Sequence, residues 1–286
     1  MAVRRFAVAA SRVRFEEKQL FEALQRRGAS CDHLDPRSFW AGDGATVPRY
    51  AAVLNREIAQ VRGLYLTHLL EAADVTVVNS AHASELCADK ARTTAVLRAH
   101  RIPTPKTAVA LSGEAARKAA VELGYPLVMK PVTGSWGRMV NLLRDPDALE
   151  AVLEHREAMP SPQHRIMYLQ EFVPKPGRDI RIIVARREPV GAMYRISADW
   201  RTNTARGART EPCPLRADLV ELAVRAADAV GARIAGVDVV EDAGGALQVL
   251  EVNHVVEFHG LMEAHGGQLD VAGAMADALI SAGASC

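Results

Sequence analysis

Two carboxylates and an amide lie within the apolar stretch GVDVVEDAGGALQVLEVNHVVEF, residues 236–258. Asp238 is in the first of two strand-like runs, and the second run ends with Glu251 and Asn253. Residues two apart on a strand project from one face, and Asp238 on a neighbouring antiparallel strand could face them. Such oxygen ligands suit Mg²⁺, whose shell is completed by water and phosphate. The stretch is a candidate magnesium site, with polar strand ends on a sheet surface as the alternative.

Three further motifs are compatible with nucleotide binding. Lys130 ends an apolar strand before a proline, and a lysine is a compact charge suited to phosphate. The segment GSWGR supplies Gly134 and Gly137, whose backbone N–H groups can approach a phosphate closely. It is not a Walker loop, because G-x-x-x-x-G-K-[ST] is absent. The segment QEFV, residues 170–173, could present its backbone to an adenine edge. Each motif alone is equally compatible with a solvated lysine, a plain turn or an edge strand.

Strand-like and helical segments alternate along the chain, which predicts an α/β fold. A strand over residues 3–10 and a helix over residues 15–27, ended by Gly28, open a small α/β domain of residues 1–84. The segments YAAVLNREI and DVTVVNS are expected to contain further strands of this domain.

A small central α+β unit is expected over residues 85–168. It would contain helices over residues 84–99, 114–123 and 146–157, and a strand in YPLVMKPV. A larger sheet-rich unit is expected over residues 169–286. Its predicted elements are a strand in RIMYLQEFV, two strands about Glu188-Pro189, a polar loop over residues 199–210, a helix over 216–230, the two strands of the opening stretch and a helix over 271–282.

Composition excludes several classes of protein. The chain has 286 residues, 49% of them hydrophobic, and a net charge of +1, whereas non-specific nucleic-acid binding needs a basic surface. The longest apolar runs fall short of the roughly 20 residues of a membrane span. The four cysteines, Cys31, Cys87, Cys213 and Cys286, are scattered, so neither a zinc site nor a disulfide framework is indicated. We expect free thiols in a reducing cytoplasm.

Taken together, five stretches resemble the ATP-grasp ligases, in particular the branch of RimK-type glutamate ligases and the LysX ligases of lysine biosynthesis. They are ADKARTTAVLRAHRIPTPKTA, YPLVMKPVTGSWGR, LQEFVPKPGRDIRIIV, YRISADWRTNTARGA and LEVNHVVEF. The resemblance implies an ATP-grasp fold, in which an N-terminal pre-ATP-grasp domain precedes the central and C-terminal subdomains.

The resemblance also implies residue roles around ATP. In this family, residues at these positions contact the phosphates, close a loop over them, line the adenine or hold the ribose. The implied ATP-binding residues are Lys90 and Lys130 at the phosphates, Gly134, Ser135, Trp136, Gly137 and Arg138 in the loop, Glu171, Phe172 and Val173 at the adenine, Asp179 at the ribose, and Arg201 and Asn203 beside them. Asp238, Glu251 and Asn253 would bind two Mg²⁺ ions, with Mn²⁺ as a substitute.

The implied reaction is the ATP-dependent joining of a carboxylate and an amine. Phosphorylation of the carboxylate gives an acyl phosphate, which the amine attacks, so the protein mainly positions groups and neutralises charge. The implied catalytic residues are Lys130, Arg195 and Arg206. The implied substrate residues are Arg195, Asn203, Thr204, Arg206, His254, Gly260 and Leu261. The role of His254 stays open between a base and a structural residue, and the cysteines are expected to be bystanders.

LysX-type relatives join the α-amino group of an acidic amino acid to the C-terminal Glu side chain of a small acidic carrier protein. The lysine-pathway enzymes have a Glu-Phe-Lys-Asn-Ser/Thr-like run after EVNH, where this chain has Glu257, Phe258, His259, Gly260 and Leu261. Glutamate-accepting relatives carry Gly-Phe at the last two positions. Gly260-Leu261 therefore favours glutamate over α-aminoadipate. A homo-oligomer, either dimer or tetramer, is expected from the family.

Three alternatives belong to other classes. A RimK-like enzyme would add glutamate to another protein or peptide C-terminus. A non-catalytic ATP-binding protein would keep the fold but be free to lose the set of Lys130, Asp238, Glu251 and Asn253, which is intact here. A nicotinamide-dependent dehydrogenase is disfavoured because no G-x-G-x-x-G follows the first strand.

Overall fold

The computed structural model describes residues 4–43, 47–134, 137–202 and 207–284. The N-terminal part is a four-stranded parallel sheet of order β2-β1-β3-β4 with helices packed on it. Its elements are β1 Arg5–Ala9, α1 Phe15–Arg26, β2 Ser30–Leu34, β3 Ala52–Asn55, α2 Gln60–Glu71, β4 Val77–Val78 and α3 Ala81–Ala88. The predicted first strand and first helix are confirmed to within two residues. The sequence analysis missed β2 and α2 because β2 is only partly buried and the apolar residues of α2 do not collect on one face.

The single helix predicted over residues 84–99 was wrong, because the chain forms two helices there. α3 ends at Ala88, and α4 spans Lys90–Ala99. Between them Asp89 is extended, at φ −119° and ψ 112°, and its carboxylate accepts hydrogen bonds from the backbone N–H groups of Ala91 and Arg92. Asp89 also forms an isolated β-bridge with Thr133. Hydrophobic periodicity does not reveal such an internal cap, since both helices bury apolar residues.

The central part is a four-stranded antiparallel sheet of order β5-β8-β6-β7. Its elements are β5 Thr107–Ala110, α5 Gly113–Leu123, β6 Leu127–Pro131, β7 Asn141–Leu143, α6 Pro146–Glu157 and β8 Met167–Glu171. The two helices pack on the sheet around a core that contains Leu127, Met129 and Leu169. The predicted helices over residues 114–123 and 146–157 are confirmed. The expected boundary between residues 168 and 169 falls within β8.

The C-terminal part is a five-stranded antiparallel sheet of order β11-β10-β9-β12-β13. Its elements are β9 Arg178–Ala185, β10 Glu188–Ile196, β11 Arg209–Cys213, α7 Ala217–Ala229, β12 Ile234–Glu241, β13 Leu247–Asn253, α8 His259–Ala264 and α9 Val271–Ala282. The predicted helices over 216–230 and 271–282 are confirmed. The predicted polar loop ends earlier than expected, since β11 begins at Arg209 and pairs with β10.

The two faces of the large sheet have different partners. One face packs on α7, with Ile180 and Ile182 against Leu219 and Ala223. The other face packs on α9 and, through it, on the N-terminal sheet. Asp179 and Arg181 on β9, Arg195 on β10 and Asp238 on β12 lie on this second face, because they alternate with the residues buried under α7. Among the described residues, no helix is both long enough and apolar enough to cross a membrane.

Candidate functional site

The two carboxylates of the opening motif face each other across a strand pair, as predicted. Asp238 on β12 is the register partner of Glu251 on β13, and Gly236 is the partner of Asn253. The Asn253 amide donates hydrogen bonds to Glu251 Oε1 at 3.2 Å and to the Gly236 carbonyl at 3.3 Å. The register shifts between Asp238 and Val239, where β13 carries the extra residue Leu250. The strand register therefore collects three oxygen-bearing side chains at one end of the sheet.

Asp238 is held by two guanidinium groups. Arg181 Nε and Nη2 donate to its two carboxylate oxygens, the second bond measuring 2.9 Å, and Arg195 Nη2 lies 3.2 Å from Oδ1. Although burial opposes ionisation, Arg181 and Arg195 lower the pKa of Asp238 to about 2. Gly236 leaves room for this pairing, because a Cβ there would lie 3.0 Å from Arg181 Nη1. The sequence analysis did not single out Arg181, yet this residue holds a predicted metal ligand in place.

Asp179 forms a second buried cluster next to Asp238. It accepts hydrogen bonds from Arg195 Nε at 2.7 Å and Arg195 Nη2 at 2.9 Å, and from the Thr202 hydroxyl. Lys175 Nζ lies 3.4 Å from its Oδ2 and donates to Thr202 Oγ1 at 2.7 Å. Arg195 thus bridges two carboxylates and is only 4% exposed. Lys175 and Thr202 were missed because nothing in their spacing separates them from ordinary surface residues.

Two lysines converge on the carboxylates from the central subdomain. Lys130, at the end of β6, donates to Gln170 Oε1 at 2.7 Å. Lys90, the first residue of α4, donates to the Gly134 carbonyl at 2.8 Å and lies 3.8 Å from Glu251 Oε2. Lys130 is partly buried, and the loss of hydration lowers its ammonium pKa to about 8. Two cations opposite two carboxylates make a site for a polyphosphate with bound cations.

One cavity brings most of the predicted ATP-site residues together. Its predicted lining residues are Lys90, Lys130, Gly134, Gly137, Arg138, Glu171, Phe172, Val173, Asp179, Arg195, Arg201, Asp238 and Glu251. Lining residues that the sequence analysis did not single out are Val128, Pro131, Val140, Lys175, Trp200, Thr202, Val240 and Leu250, together with Gln170 at the start of QEFV. The predicted residues Ser135, Trp136, Asn203, Thr204 and Arg206 lie outside the described part of the chain.

The cavity has an apolar side as well as a charged side. Val128, Val240 and Leu250 line it together with Phe172. Phe172 meets Trp200 edge to face, with ring centroids 6.2 Å apart. A flat heterocycle suits this lining, because aliphatic and aromatic side chains pack well on its faces. The arrangement therefore fits a nucleotide, with its base among the apolar residues and its phosphates toward the lysines.

Four predicted residues lie away from this lining. Asn253 does not line the cavity, but its amide donates a hydrogen bond to Glu251, which does. His254 is largely buried, which lowers its pKa to about 4, so its imidazole is neutral at neutral pH. Gly260 lines a separate cavity beside β11, and Leu261 is fully buried in the core below it. Leu261 can thus influence a ligand only through the residues that pack on it.

The donor set fits a hard divalent cation. Asp238 and Glu251 supply two carboxylates, and Asn253 supplies an amide oxygen once its side chain turns. These are fewer than the six oxygens that Mg²⁺ takes, so water or phosphate oxygens would complete the shell. Among the described residues, no group of three or more His, Cys, Asp or Glu side chains could hold a metal by itself. Such a site would bind a cation together with a phosphate ligand.

Comparison with known proteins agrees with this geometry. The RimK-like ATP-grasp domain matches residues 87–279, and the LysX preATP-grasp domain matches residues 6–86. The α-aminoadipate–LysW ligase LysX of Saccharolobus solfataricus is 37% identical over 248 residues, covering 86% of this chain and 90% of that protein. The glutamate–LysW ligase ArgX of Sulfurisphaera tokodaii is 35% identical over 254 residues, covering 88% and 90%.

Solved structures show the same fold. The crystal structure of a RimK domain ATP-grasp protein from Sphaerobacter thermophilus superposes with a TM-score of 0.78, at 32% identity, over 96% of this chain and 99% of that chain. The biotin carboxylase of Campylobacter jejuni shares the fold at 17% identity, with a TM-score of 0.75 over 96% of this chain and 70% of that one. The ATP-grasp fold binds ATP and Mg²⁺. The expected architecture is thereby confirmed, and the chain belongs to the RimK-like ATP-grasp family of carbon–nitrogen ligases.

Proposed function

We propose that this ligase joins the α-amino group of an acidic amino acid, glutamate ahead of α-aminoadipate, to a small acidic carrier protein. The acceptor is the side-chain carboxylate of the carrier's C-terminal Glu. The observation that carries the ATP-dependent step is the Asp238–Glu251 pair, which faces Lys90 and Lys130 in one cavity. The relatives named LysW ligases support the carrier and the two amino acids.

The nucleotide would lie with its adenine beside Glu171, Phe172 and Val173 and its phosphates near Lys90 and Lys130. Asp238, Glu251 and Asn253 would hold two Mg²⁺ ions, which offset charge on the phosphates when bound. The loop from Gly134 to Arg138 would close over the phosphates. Lys175 and Thr202 hold Asp179 in place, so Asp179 would meet the ribose with its carboxylate already oriented.

The reaction would proceed in two steps. The carrier carboxylate attacks the γ-phosphorus of ATP, which gives an acyl phosphate and ADP. The amine then attacks the acyl carbon, the C–O bond to phosphate breaks, and the amine loses a proton to give the amide. Arg195 and Arg206 would stabilise the acyl phosphate and the tetrahedral oxyanion with their positive charge. Arg195 would act mainly by charge, because its Nε and Nη2 already donate to Asp179. The low pKa of His254 argues against that residue as the base at neutral pH.

The preference for glutamate rests on the α8 segment. Gly260 lines the cavity beside β11, and a Cβ at this position would lie 3.5 Å from Thr210 Cγ2. A larger residue there would project into the cavity or against Thr210. The curated relatives include ligases named for each of the two amino acids at similar identity, so overall similarity does not choose between them.

Intact-protein mass spectrometry tests the proposal. The enzyme, ATP and Mg²⁺ are mixed with an acidic carrier ending in Glu and with equal amounts of glutamate and α-aminoadipate. We expect the carrier to gain the mass of one glutamate residue. A gain of one aminoadipate residue keeps the mechanism and overturns the amino-acid preference. A carrier whose C-terminal Glu is replaced by Gln is the matched control and should gain nothing.

A RimK-like glutamate ligase is the alternative function. It would leave the carrier unchanged and consume ATP when offered glutamate and other peptides or proteins with a free C-terminus. That result would overturn the carrier proposal, because the same cavity would then serve a different acceptor.

A further inference from the structure

Asn79, immediately after β4, reaches from the N-terminal domain to the strand pair that carries the predicted metal ligands. Its carboxamide oxygen accepts a hydrogen bond from the Ile234 N–H at 3.0 Å, and its nitrogen donates to the Ile234 carbonyl at 2.7 Å. The same nitrogen donates to the His254 carbonyl at 2.9 Å. Asn79 is only 4% exposed, so these bonds are made away from water. Both amide hydrogens are thus used on the C-terminal sheet.

These bonds extend the β12–β13 pairing beyond the end of β13. The register of the two strands ends with Gly236 and Asn253, and Ile234 is two residues before Gly236 on β12. Two residues that exchange an N–H and a C=O bond form the hydrogen-bonded pair of an antiparallel sheet. Asn79 therefore gives Ile234 the bonds that a further residue of β13 would give. Its bond to the His254 carbonyl joins this position to the chain that follows Asn253.

Arg56, immediately after β3, holds the same segment two residues further on. It donates from Nη1 to the Val256 carbonyl at 2.6 Å and from Nε to Glu17 Oε1 at 3.1 Å. Arg56 is 2% exposed, and Val256 is fully buried. A buried carboxylate thus fixes the guanidinium that binds the segment. Together with Asn79, Arg56 binds two backbone carbonyls of residues 254–256, directly after β13.

Few other bonds hold the chain where it leaves the sheet. In the part of the chain that the structure describes, no backbone-to-backbone hydrogen bond outside the helices and strands involves residues 254–257. The bonds from Asn79 and Arg56 therefore fix the direction in which the backbone leaves β13. That direction determines where the Asn253 side chain lies, and Asn253 in turn donates to the Glu251 carboxylate.

We infer that Asn79 and Arg56 are positioning residues of the magnesium site, because they hold the end of β13, where two of its proposed ligands lie. The inference rests on the ligands assigned under the proposed function. Neither residue lines the cavity that would hold ATP, the nucleotide cavity, so both act through the backbone after β13. Residues that orient metal ligands typically change metal affinity about 10- to 100-fold when they are replaced.

The test is a Mn²⁺ titration of Asn79→Ala at saturating ADP, followed by the electron paramagnetic resonance signal of free Mn²⁺. The variant should bind Mn²⁺ about tenfold more weakly than the wild type. The dissociation constant of ADP without metal should change less than about twofold, because Asn79 does not line the nucleotide cavity. An affinity for Mn²⁺ equal to that of the wild type would contradict the inference.

Asn55→Ala is the matched control. Asn55 ends β3, and its nitrogen also donates two hydrogen bonds, to the Gly63 carbonyl and to Thr67 Oγ1, both at 2.8 Å within the N-terminal domain. We expect similar losses of melting temperature in the two variants, with the Mn²⁺ affinity lowered in Asn79→Ala alone. If Asn55→Ala weakens Mn²⁺ binding as much, general loosening of the N-terminal domain explains the result, and the inference is overturned.

Arg56→Lys covers the case in which Asn79→Ala fails to fold. A lysine keeps the positive charge beside Glu17, but its single nitrogen does not reproduce the two separate bonds of the guanidinium. We expect Mn²⁺ binding about threefold weaker, as for the loss of one hydrogen bond. Unchanged Mn²⁺ affinity in the folded variants would overturn the inference and leave the ligase function standing. A wild type that binds no Mn²⁺ beside ADP would instead overturn the proposed metal site, and the inference would fall with it.

Discussion

Arg181 and Asp238 face each other across β9 and β12 and form two hydrogen bonds, one from Nε and one from Nη2, on the sheet face that carries the nucleotide cavity. The side chains are 13% and 4% exposed, so this is a buried ion pair. Arg195 reaches the same carboxylate from β10. The predicted metal ligand is thus kept ionised and immobile before any cation or nucleotide is bound.

Removing Arg181 should therefore destabilise the protein. Arg181→Met leaves Asp238 buried with one guanidinium partner instead of two, and breaking a buried pair typically costs about 3–5 kcal/mol. We expect the free energy of unfolding, measured by urea denaturation without ligands, to fall by about 3 kcal/mol. Arg117→Met is the matched control, because the Arg117–Glu150 pair is half-exposed and should be worth less than about 1 kcal/mol. Equal losses in the two variants would contradict a special role for the buried pair.

Glu251 should be essential for catalysis and dispensable for folding. Its side chain is 31% exposed, and Lys90 and Asn253 are its close polar neighbours. Glu251→Gln removes a charged oxygen ligand, so we expect kcat to fall at least about 100-fold. Circular dichroism and the melting temperature without ligands should stay close to those of the wild type. The added stability from MgATP should also be lost. Full activity in this variant would refute the metal assignment.

Lys130 should make nucleotide binding depend on pH. Burial lowers its pKa to about 8, so the ammonium is mostly present at pH 7 and mostly lost at pH 9. We expect kcat/KM for ATP to fall about tenfold over this range, because that parameter reports the free enzyme. Lys130→Arg stays charged and should give a nearly flat profile. A tenfold fall in that variant as well would assign the titration to another group.

The same lowered pKa affects stability in the opposite direction. The unfolded chain binds the Lys130 proton up to about pH 10.5, whereas the folded chain releases it near pH 8. The burial cost of the ammonium is therefore present below pH 8 and is relieved as the pH rises from 8 to 10.5. The unfolding free energy of the wild type should therefore rise relative to that of Lys130→Met as the pH goes from 8 to 10.5.

The sequence predicted those parts of the site that strand geometry determines. That Asp238 and Glu251 face each other followed from the two apolar runs and the short turn between them. Two strands joined in this way pair antiparallel and bring a residue of the first opposite a residue of the second. The pairings of Arg195 with Asp179 and of Arg181 with Asp238 did not follow, because they depend on the order of β10, β9 and β12 in the sheet. Local periodicity does not report strand order, and an arginine on a strand has the same local pattern whether it is buried or exposed.

Asp89 should connect helix capping with nucleotide binding, and its loss is expected to affect both. Its carboxylate caps α4 through the N–H groups of Ala91 and Arg92, at 2.8 and 3.1 Å. Its backbone bridges Thr133, immediately before Gly134. Lys90 follows immediately and contacts Gly134. Asp89→Ala should cost about 1 kcal/mol, as loss of a cap does. It should also raise the KM for ATP several-fold, because Lys90 would no longer be held at the start of the helix.

A second capping residue separates these two effects. Asp145 caps α6 through the backbone N–H of Ala148 at 2.8 Å, and neither residue lines the nucleotide cavity. Asp145→Ala should lose a similar free energy of unfolding with no change in the KM for ATP. If the two alanine variants bind ATP equally well, the cap at Asp89 serves the helix alone. If Asp89→Ala alone weakens ATP binding, the cap between α3 and α4 also positions Lys90 for the ATP phosphates.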